Sequence, residues 1–322
     1  MGNKWDHIFN RLKWVIAVAA YLFLIYKLAT FKDYDAVKAL LENSAWTNVF
    51  WLLGGIALLP LNILLESLKW KQLIRPLYPS PLKESIRMVL WGNTGGFSTP
   101  NRIGEFPTRS MLMPEGTRAQ SIALGFVGSL AQTICIFVCG SLGFYYFYKT
   151  FSEGNFENSH NIIYIQWDII IGYVAISVLL IALFITLPYW VQRIKKSNNK
   201  TLQQLNRIAT DISYGYQLKI FLLAAARYLT FCLQSYCMYR FCLVDISVRE
   251  ALIAIPTFYL FVTLTPSINI SEMAVRGSYA ALVFSCFTPN YFGAIVASFL
   301  TWLINYCIPM MLGSLFVKFG HK

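Results

Sequence analysis

Two segments of the chain carry the same set of chemically useful residues. Residues 83–100 end in Thr99-Pro100 and lead to Gly104-Glu105 and Arg109, whereas residues 249–266 end in Thr265-Pro266 and lead to Ser271-Glu272 and Arg276. Both Lys83-Glu84 against Arg249-Glu250 and Thr99-Pro100 against Thr265-Pro266 are offset by 166 residues. One residue is inserted after the second Thr-Pro pair before Glu-x-x-x-Arg returns. Glu and Arg four positions apart lie one turn apart on a helix, so Glu105 can pair with Arg109 and Glu272 with Arg276. The same groups could serve a ligand, the guanidinium as a bidentate donor to phosphate and the carboxylate as a partner for an amine or a proton. Local neutralisation and ligand binding both remain open at this point. The first copy is the richer one, because Asn93, Thr94, Gly95, Gly96, Ser98, Thr99, Asn101, Arg102 and Gly104 form one polar, glycine-containing run. Such a run suits close backbone approach to a hydrated phosphate.

These groups must be held in an apolar setting. Of 322 residues, 57% are hydrophobic and only 13% charged, with a mean hydropathy of +0.52. A soluble domain averages about 25% charged residues, so the chain reads as a polytopic membrane protein with no separate soluble core. The net charge of +12 does not indicate nucleic acid, since the basic residues flank apolar runs. Seven cysteines lie in or beside apolar segments without Cys-x-x-Cys spacing, and His7, His160 and His321 fall outside the expected spans. Neither a disulfide framework nor a metal centre is expected, and no cofactor is implied.

Six segments have the roughly 20 apolar residues that a spanning helix needs: 14–30, 47–68, 119–147, 162–187, 217–239 and 291–317. Two further apolar stretches, 86–113 and 250–287, contain the Thr-Pro pairs. A proline in mid-course favours two short limbs over one continuous span, so both are expected to be re-entrant helical hairpins. With the N-terminus cytoplasmic, the inside segments 1–13, 69–87, 102–118, 188–219 and 318–322 hold 19 of the 27 Lys and Arg. The loop Lys149–Asn161 then falls outside, and both termini lie inside. The first apolar segment lacks a cleavage pattern and reads as a span, not a signal peptide. The expected fold is all-α and forms one transmembrane domain over 1–322. A first repeat at 1–150 reads helix, helix, hairpin, helix, and a second, inverted one follows at 162–318. Inverted repeats with broken helices are a recurrent plan for secondary transporters.

Other polar residues in the spans add to the candidate set. Glu66 stands three residues before Lys69 and reads as an interfacial pair with a snorkelling lysine, or as part of a site. Arg227 lies deeper, with Gln234 two turns on, and Glu105 or Glu272 is its expected partner. Asn62, Gln132 and Asn305 suit interhelical hydrogen bonds. Trp46, Trp51, Trp70, Tyr148 and Trp190 read as an interfacial belt. Thr201–Tyr216 reads as a surface amphipathic helix.

The run Gly95-Gly-Phe-Ser-Thr-Pro-Asn-Arg-Ile-Gly-Glu105 followed by Arg109 resembles the first signature of the transmembrane region of lysylphosphatidylglycerol synthases and their stand-alone flippase-like relatives. Thr265-Pro266, Ser271-Glu272 and Arg276-Gly277 resemble the second signature, with Ser271 in place of a glycine. Lys69-Trp70 is similar to the basic-Trp pair of that family, and Arg227-Tyr228 with Gln234 to its fifth-helix pattern. The resemblance covers nearly the whole chain. It implies translocation of a phospholipid or related amphiphile between leaflets of a bacterial-type cytoplasmic membrane. The implied partners are membrane lipids, whether anionic, aminoacylated or isoprenoid-type, and a separate lipid-modifying synthase. The chain ends at Lys322 just after its last helix, so a stand-alone member without the synthase domain is expected.

On this reading a headgroup enters a polar cavity between the hairpins. Thr99, Pro100, Asn101, Arg102, Gly104, Glu105 and Arg109 form one half-site and Thr265, Pro266, Glu272 and Arg276 the other, with Glu66, Lys69, Arg227 and Gln234 alongside. Arg102, Arg109 and Arg276 would engage the phosphate, while Glu105 and Glu272 balance charge or bind an amine. No catalytic residue is assigned. A membrane-embedded transferase acting on a lipid-linked substrate, with Glu105 or Glu272 as base, is the alternative enzyme reading, and a non-catalytic partner of a synthase is the third.

Overall fold

The computed structural model describes residues 22, 46–97, 99, 102–152, 167–195, 213–265 and 272–316. The described residues form helices joined by turns and short irregular segments and contain no strand. In chain order the helices are α1 (Trp46–Ile74), α2 (Leu82–Phe97), α3 (Glu105–Ser110), α4 (Arg118–Ser152), α5 (Trp167–Lys195), α6 (Tyr214–Phe241), α7 (Val248–Leu264), α8 (Glu272–Phe284) and α9 (Tyr291–Trp302). A π-helical turn at Leu303–Cys307 joins α9 to α10 (Ile308–Phe316).

Among the described residues five stretches are long and apolar enough to cross a membrane: Asn48–Ile74, Arg118–Phe151, Ile169–Tyr189, Tyr214–Phe241 and Tyr291–Leu315. They correspond to five of the six expected spans, and the sixth, 14–30, lies outside the described residues except for Leu22. The expected surface helix at 201–216 and the loop at 149–161 also fall mostly outside. Both Thr-Pro stretches are interrupted as expected. Helix α2 ends at Phe97 and α3 begins at Glu105, while α7 ends at Leu264 and α8 begins at Glu272. The aligned Glu84 and Glu250 sit in the first turns of α2 and α7, where a carboxylate is favoured by the helix dipole. Glu250 also completes a capping box with Ser247. The shared Lys/Arg-Glu start of the two copies is thus a helix start.

Packing centres on α1 and α6, which run antiparallel in close contact. Three hydrogen bonds fix the register: Tyr216 to the Leu73 carbonyl, Arg227 to Asn62 and Gln234 to the Gly55 carbonyl. Around this pair the contacts are reciprocal. Helix α4 packs on α7, the first limb of the second broken pair, and α10 packs on α2, the first limb of the first. The limbs of each pair touch each other, α3 reaches α4 and α8 reaches α9. Helix α5 lies at the edge, mainly against α4, and exposes Ile171, Val174, Val178 and Leu179. An apolar face of that kind is where lipid chains belong.

Small residues permit these approaches. A Cβ on Gly313 would collide with the Leu90 carbonyl of α2, and one on Gly143 would lie 2.9 Å from the Ile253 carbonyl of α7. Backbone cannot yield as a flexible side chain can. Gly313→Ala is expected to destabilise the fold by about 1–3 kcal/mol through overpacking. Gly172→Ala in α5 meets nothing within 4 Å and is expected to be neutral or stabilising by roughly 0.5–1 kcal/mol. Thermal melting of the two purified variants in one detergent checks the contrast.

Candidate functional site

The charged residues of the first motif converge with α1 and α6 on one buried cluster. Glu66 on α1 is its hub. One carboxylate oxygen accepts from Arg109 Nη1 at 2.8 Å, and the other lies 2.7 Å from Lys69 Nζ and 2.9 Å from Arg227 Nη1. Arg109 also pairs with Glu105, the partner one turn earlier that the spacing indicates. Arg102 lies 3.4 Å from Glu105 and donates to Asn93 Oδ1. An isolated ion at such depth would cost several kcal/mol, so these charges persist because each has an opposite partner.

Helix geometry explains the convergence. Glu66, Lys69, Trp70 and Leu73 recur at i, i+3, i+4 and i+7 and so share one face of α1. The short α3 lies against α2 because Gly92 leaves room for the Arg109 side chain and Gly95 leaves room for Thr108. Within the break, Thr99 Oγ1 accepts from the Gly104 backbone N–H at 2.9 Å and sits 3.2 Å from the Gly95 carbonyl. Arg102 adopts φ 58°, a left-handed conformation uncommon for any residue but glycine. Backbone of this kind clusters at functional sites.

A cavity of ≈ 280 Å³ opens onto this cluster. Its charged lining comprises Glu66, Glu105, Lys69, Arg102, Arg109 and Arg227, so among the described residues four cations face two carboxylates. Access differs among them. The side chains of Arg102 and Arg227 are 24% and 15% exposed, whereas Lys69 and Arg109 are hidden. Ser129 and Gln132 of α4 add polar groups, and Gln132 Oε1 is buried without a hydrogen-bond partner. Among the described residues no three His, Cys, Asp or Glu side chains converge as metal ligands would.

From the cluster a line of hydrogen bonds crosses the molecule. Arg227 Nε donates to Asn62 Oδ1, Asn62 Nδ2 to Asn305 Oδ1, Asn305 Nδ2 to Gln234 Oε1, and Gln234 Nε2 to the Gly55 carbonyl, all at 2.8–2.9 Å. Asn62 and Asn305 thereby make the interhelical bonds expected of them. Gln234 is fully buried and belongs to this line, not to the cavity wall.

The second motif copy is placed differently. Arg276 Nε is 3.2 Å from Glu272, and Arg276 Nη2 donates to the Tyr306 hydroxyl at 3.2 Å. The Tyr306 ring also receives Arg102 at 4.3 Å and Arg276 at 5.5 Å from its centroid, cation–π contacts from both motif copies. Thr265 Oγ1 pairs with Tyr279. Neither Glu272 nor Arg276 is among the described residues lining the cavity, and Arg276 pairs with Glu272 and Tyr306. Pro100, Asn101, Pro266 and Ser271 lie outside the described residues.

Three sequence expectations change. Arg227 pairs with Glu66, and not with Glu105 or Glu272, because the α1–α6 register sets it opposite Asn62. Glu66 and Lys69 do pair, but both are buried, so the lysine does not snorkel. Trp70 is no belt residue. Helix α1 continues to Ile74, and the fully buried indole lies under Arg109, 5.2 Å from ring centroid to guanidinium, with Nε1 toward Met88 Sδ. Sequence reasoning also missed Tyr306. Its available signal was Pro309, which has no N–H for the carbonyl four residues earlier and so favours the widened turn that carries Asn305 and Tyr306.

The model of the lysylphosphatidylglycerol synthase TM region matches residues 14–313. The chain belongs to this family. No curated protein and no solved structure matches it.

Removing the hub should be costly. Glu66→Gln leaves Lys69, Arg109 and Arg227 without their shared counter-ion, and a loss of about 3–5 kcal/mol is expected. Lys69→Met removes one of the surplus cations and is expected to cost markedly less, with thermal melting in detergent as the measure. Tyr306→Phe keeps both cation–π contacts and loses only the hydroxyl. It should melt within about 1 kcal/mol of wild type, whereas Tyr306→Leu should fall further.

Proposed function

We propose that the protein translocates a phosphate-bearing lipid between membrane leaflets, its headgroup held in the Glu66/Arg109 cavity while the acyl chains stay in the bilayer. The observation that carries this reading is the charge imbalance of a small cavity, where among the described residues four cations face two carboxylates. A phosphodiester anion is the ligand that such a surplus favours. The cavity volume of ≈ 280 Å³ suits a headgroup and not a whole lipid. Family membership connects the chain to phospholipid metabolism.

The residues take distinct roles in this proposal. Arg102 and Arg227, the partly accessible cations, make the first contacts with phosphate. Arg109 and Lys69 stay bound to Glu66 and Glu105 and supply fixed positive potential. Glu105 and Gln132 Oε1 accept from donor groups of the headgroup. Arg276 and Glu272 act through Tyr306, whose hydroxyl Arg276 holds while the ring meets Arg102.

The two broken helix pairs are re-entrant and inverted in this proposal. Support comes from the reciprocal packing of α4 on α7 and α10 on α2, together with the aligned motifs. Alternating access would then proceed by rocking of the two halves about the α1–α6 contact.

Leaflet-selective quenching of labelled phospholipids in proteoliposomes tests the activity. Arg102→Gln and Arg227→Gln are each expected to slow headgroup movement roughly tenfold or more, the equivalent of one lost charge-assisted hydrogen bond. Movement of no phosphate-bearing lipid by the wild-type protein would sink the proposal. For the inversion, Ile103→Cys and Ala274→Cys on a cysteine-free background should react with an impermeant thiol reagent from opposite sides. Labelling of both from one side would refute it.

A further inference from the structure

Helix α1 carries a second basic face, turned away from the cavity. Leu68, Lys71 and Gln72 repeat the spacing of Glu66, Lys69 and Trp70 two positions later, about 200° around the helix, and Arg75 follows in the turn just past its end. With Lys219, Leu222 and Leu223 of α6 and the Pro79-Ser80 turn they line a separate cleft of ≈ 760 Å³. No carboxylate lines it among the described residues. Lys71, Arg75 and Lys219 make no ion pair among them either.

The lining is graded along the helix axes. On α1, Leu68 precedes Lys71 by one turn and Arg75 comes just past the helix end, and on antiparallel α6 Leu222 and Leu223 lie one turn beyond Lys219. Both helices therefore place leucine toward their middles and cations toward the same end, near Ile74 and Tyr214. Leu222 and Lys219 are exposed, so the cleft opens outward on the flank of two spanning helices. An amphiphile with an anionic head at the membrane surface and chains below it meets complementary groups at both depths.

We propose that this cleft is a binding site for the phosphodiester headgroup of an anionic phospholipid, held by Lys71, Arg75 and Lys219 with its chains along Leu68, Leu222 and Leu223. The lipid is a resident ligand, distinct from the transported one. Its position on the outer face of α1 lets it brace the helix that carries Glu66.

Native mass spectrometry of the full-length protein in neutral detergent tests the site, with phosphatidylglycerol, phosphatidylcholine and inorganic phosphate as probes. The triple variant Lys71→Ala/Arg75→Ala/Lys219→Ala is expected to bind phosphatidylglycerol about a hundredfold more weakly, roughly fivefold for each lost cation. Phosphatidylcholine binding should not change. Lys71→Arg/Lys219→Arg should retain the preference, which controls for misfolding of the triple variant. Unchanged phosphatidylglycerol binding in the triple variant overturns the proposal. So does inorganic phosphate competing as well as the lipid, since the ligand would then be a free anion. Loss of the preference in Arg102→Gln/Arg227→Gln, with the triple variant unaffected, would assign the bound lipid to the central cavity and also overturn it. The cleft stands whether or not lipid movement is observed in proteoliposomes.

Discussion

The Glu66 carboxylate is the interaction on which the rest of the architecture depends. It is buried and lies within 2.9 Å of cationic groups from three elements, Lys69 of its own helix, Arg109 of α3 and Arg227 of α6. In a low-dielectric interior a single unmatched charge costs several kcal/mol, so the three elements can hold their charged residues only while they stay assembled around one anion. That constraint brings the first broken helix pair onto the α1–α6 contact. It also leaves the cavity with more positive than negative charge, since a second carboxylate, Glu105, is shared by Arg102 and Arg109.

The two motif copies are alike in text and unlike in placement. The first opens on the cavity. The second is coupled to it through one ring, because Tyr306 accepts Arg102 on its π face and Arg276 at both its ring and its hydroxyl. The neighbouring Asn305 links Asn62 and Gln234, so two consecutive residues of a π-helical turn tie both halves to the α1–α6 core. An ordinary α-helical turn spaces side chains 100° apart, and the widened turn alters that spacing where two polar groups must reach different partners.

Much of the scaffold was legible in the sequence. The apolar runs located five described spans to within a few residues at most ends, and the Thr-Pro pairs located both interruptions, because length, hydropathy and proline act locally. The Glu-x-x-x-Arg spacing indicated the Glu105–Arg109 and Glu272–Arg276 pairs for the same reason. The apolar run of α1 stops at residue 68, because Lys69 and Lys71 resemble the edge of a membrane span. In the fold, Lys69 is neutralised by Glu66 and the helix continues to Ile74.

The sequence by itself determined that the chain is a helical membrane protein with two similar broken segments, and it identified nearly every charged residue of the cluster. Only the tertiary structure decided which charges meet. Arg227 finds Glu66 across 161 residues of chain because the antiparallel register of α1 and α6 sets it there. Trp70 lies under Arg109 because α3 folds back over the same face. Tyr306 joins the two motifs because the last helix packs on α2. Periodicity reports what one helix presents to its surroundings, whereas the pairing of buried charges depends on how separate helices are rotated and shifted against one another.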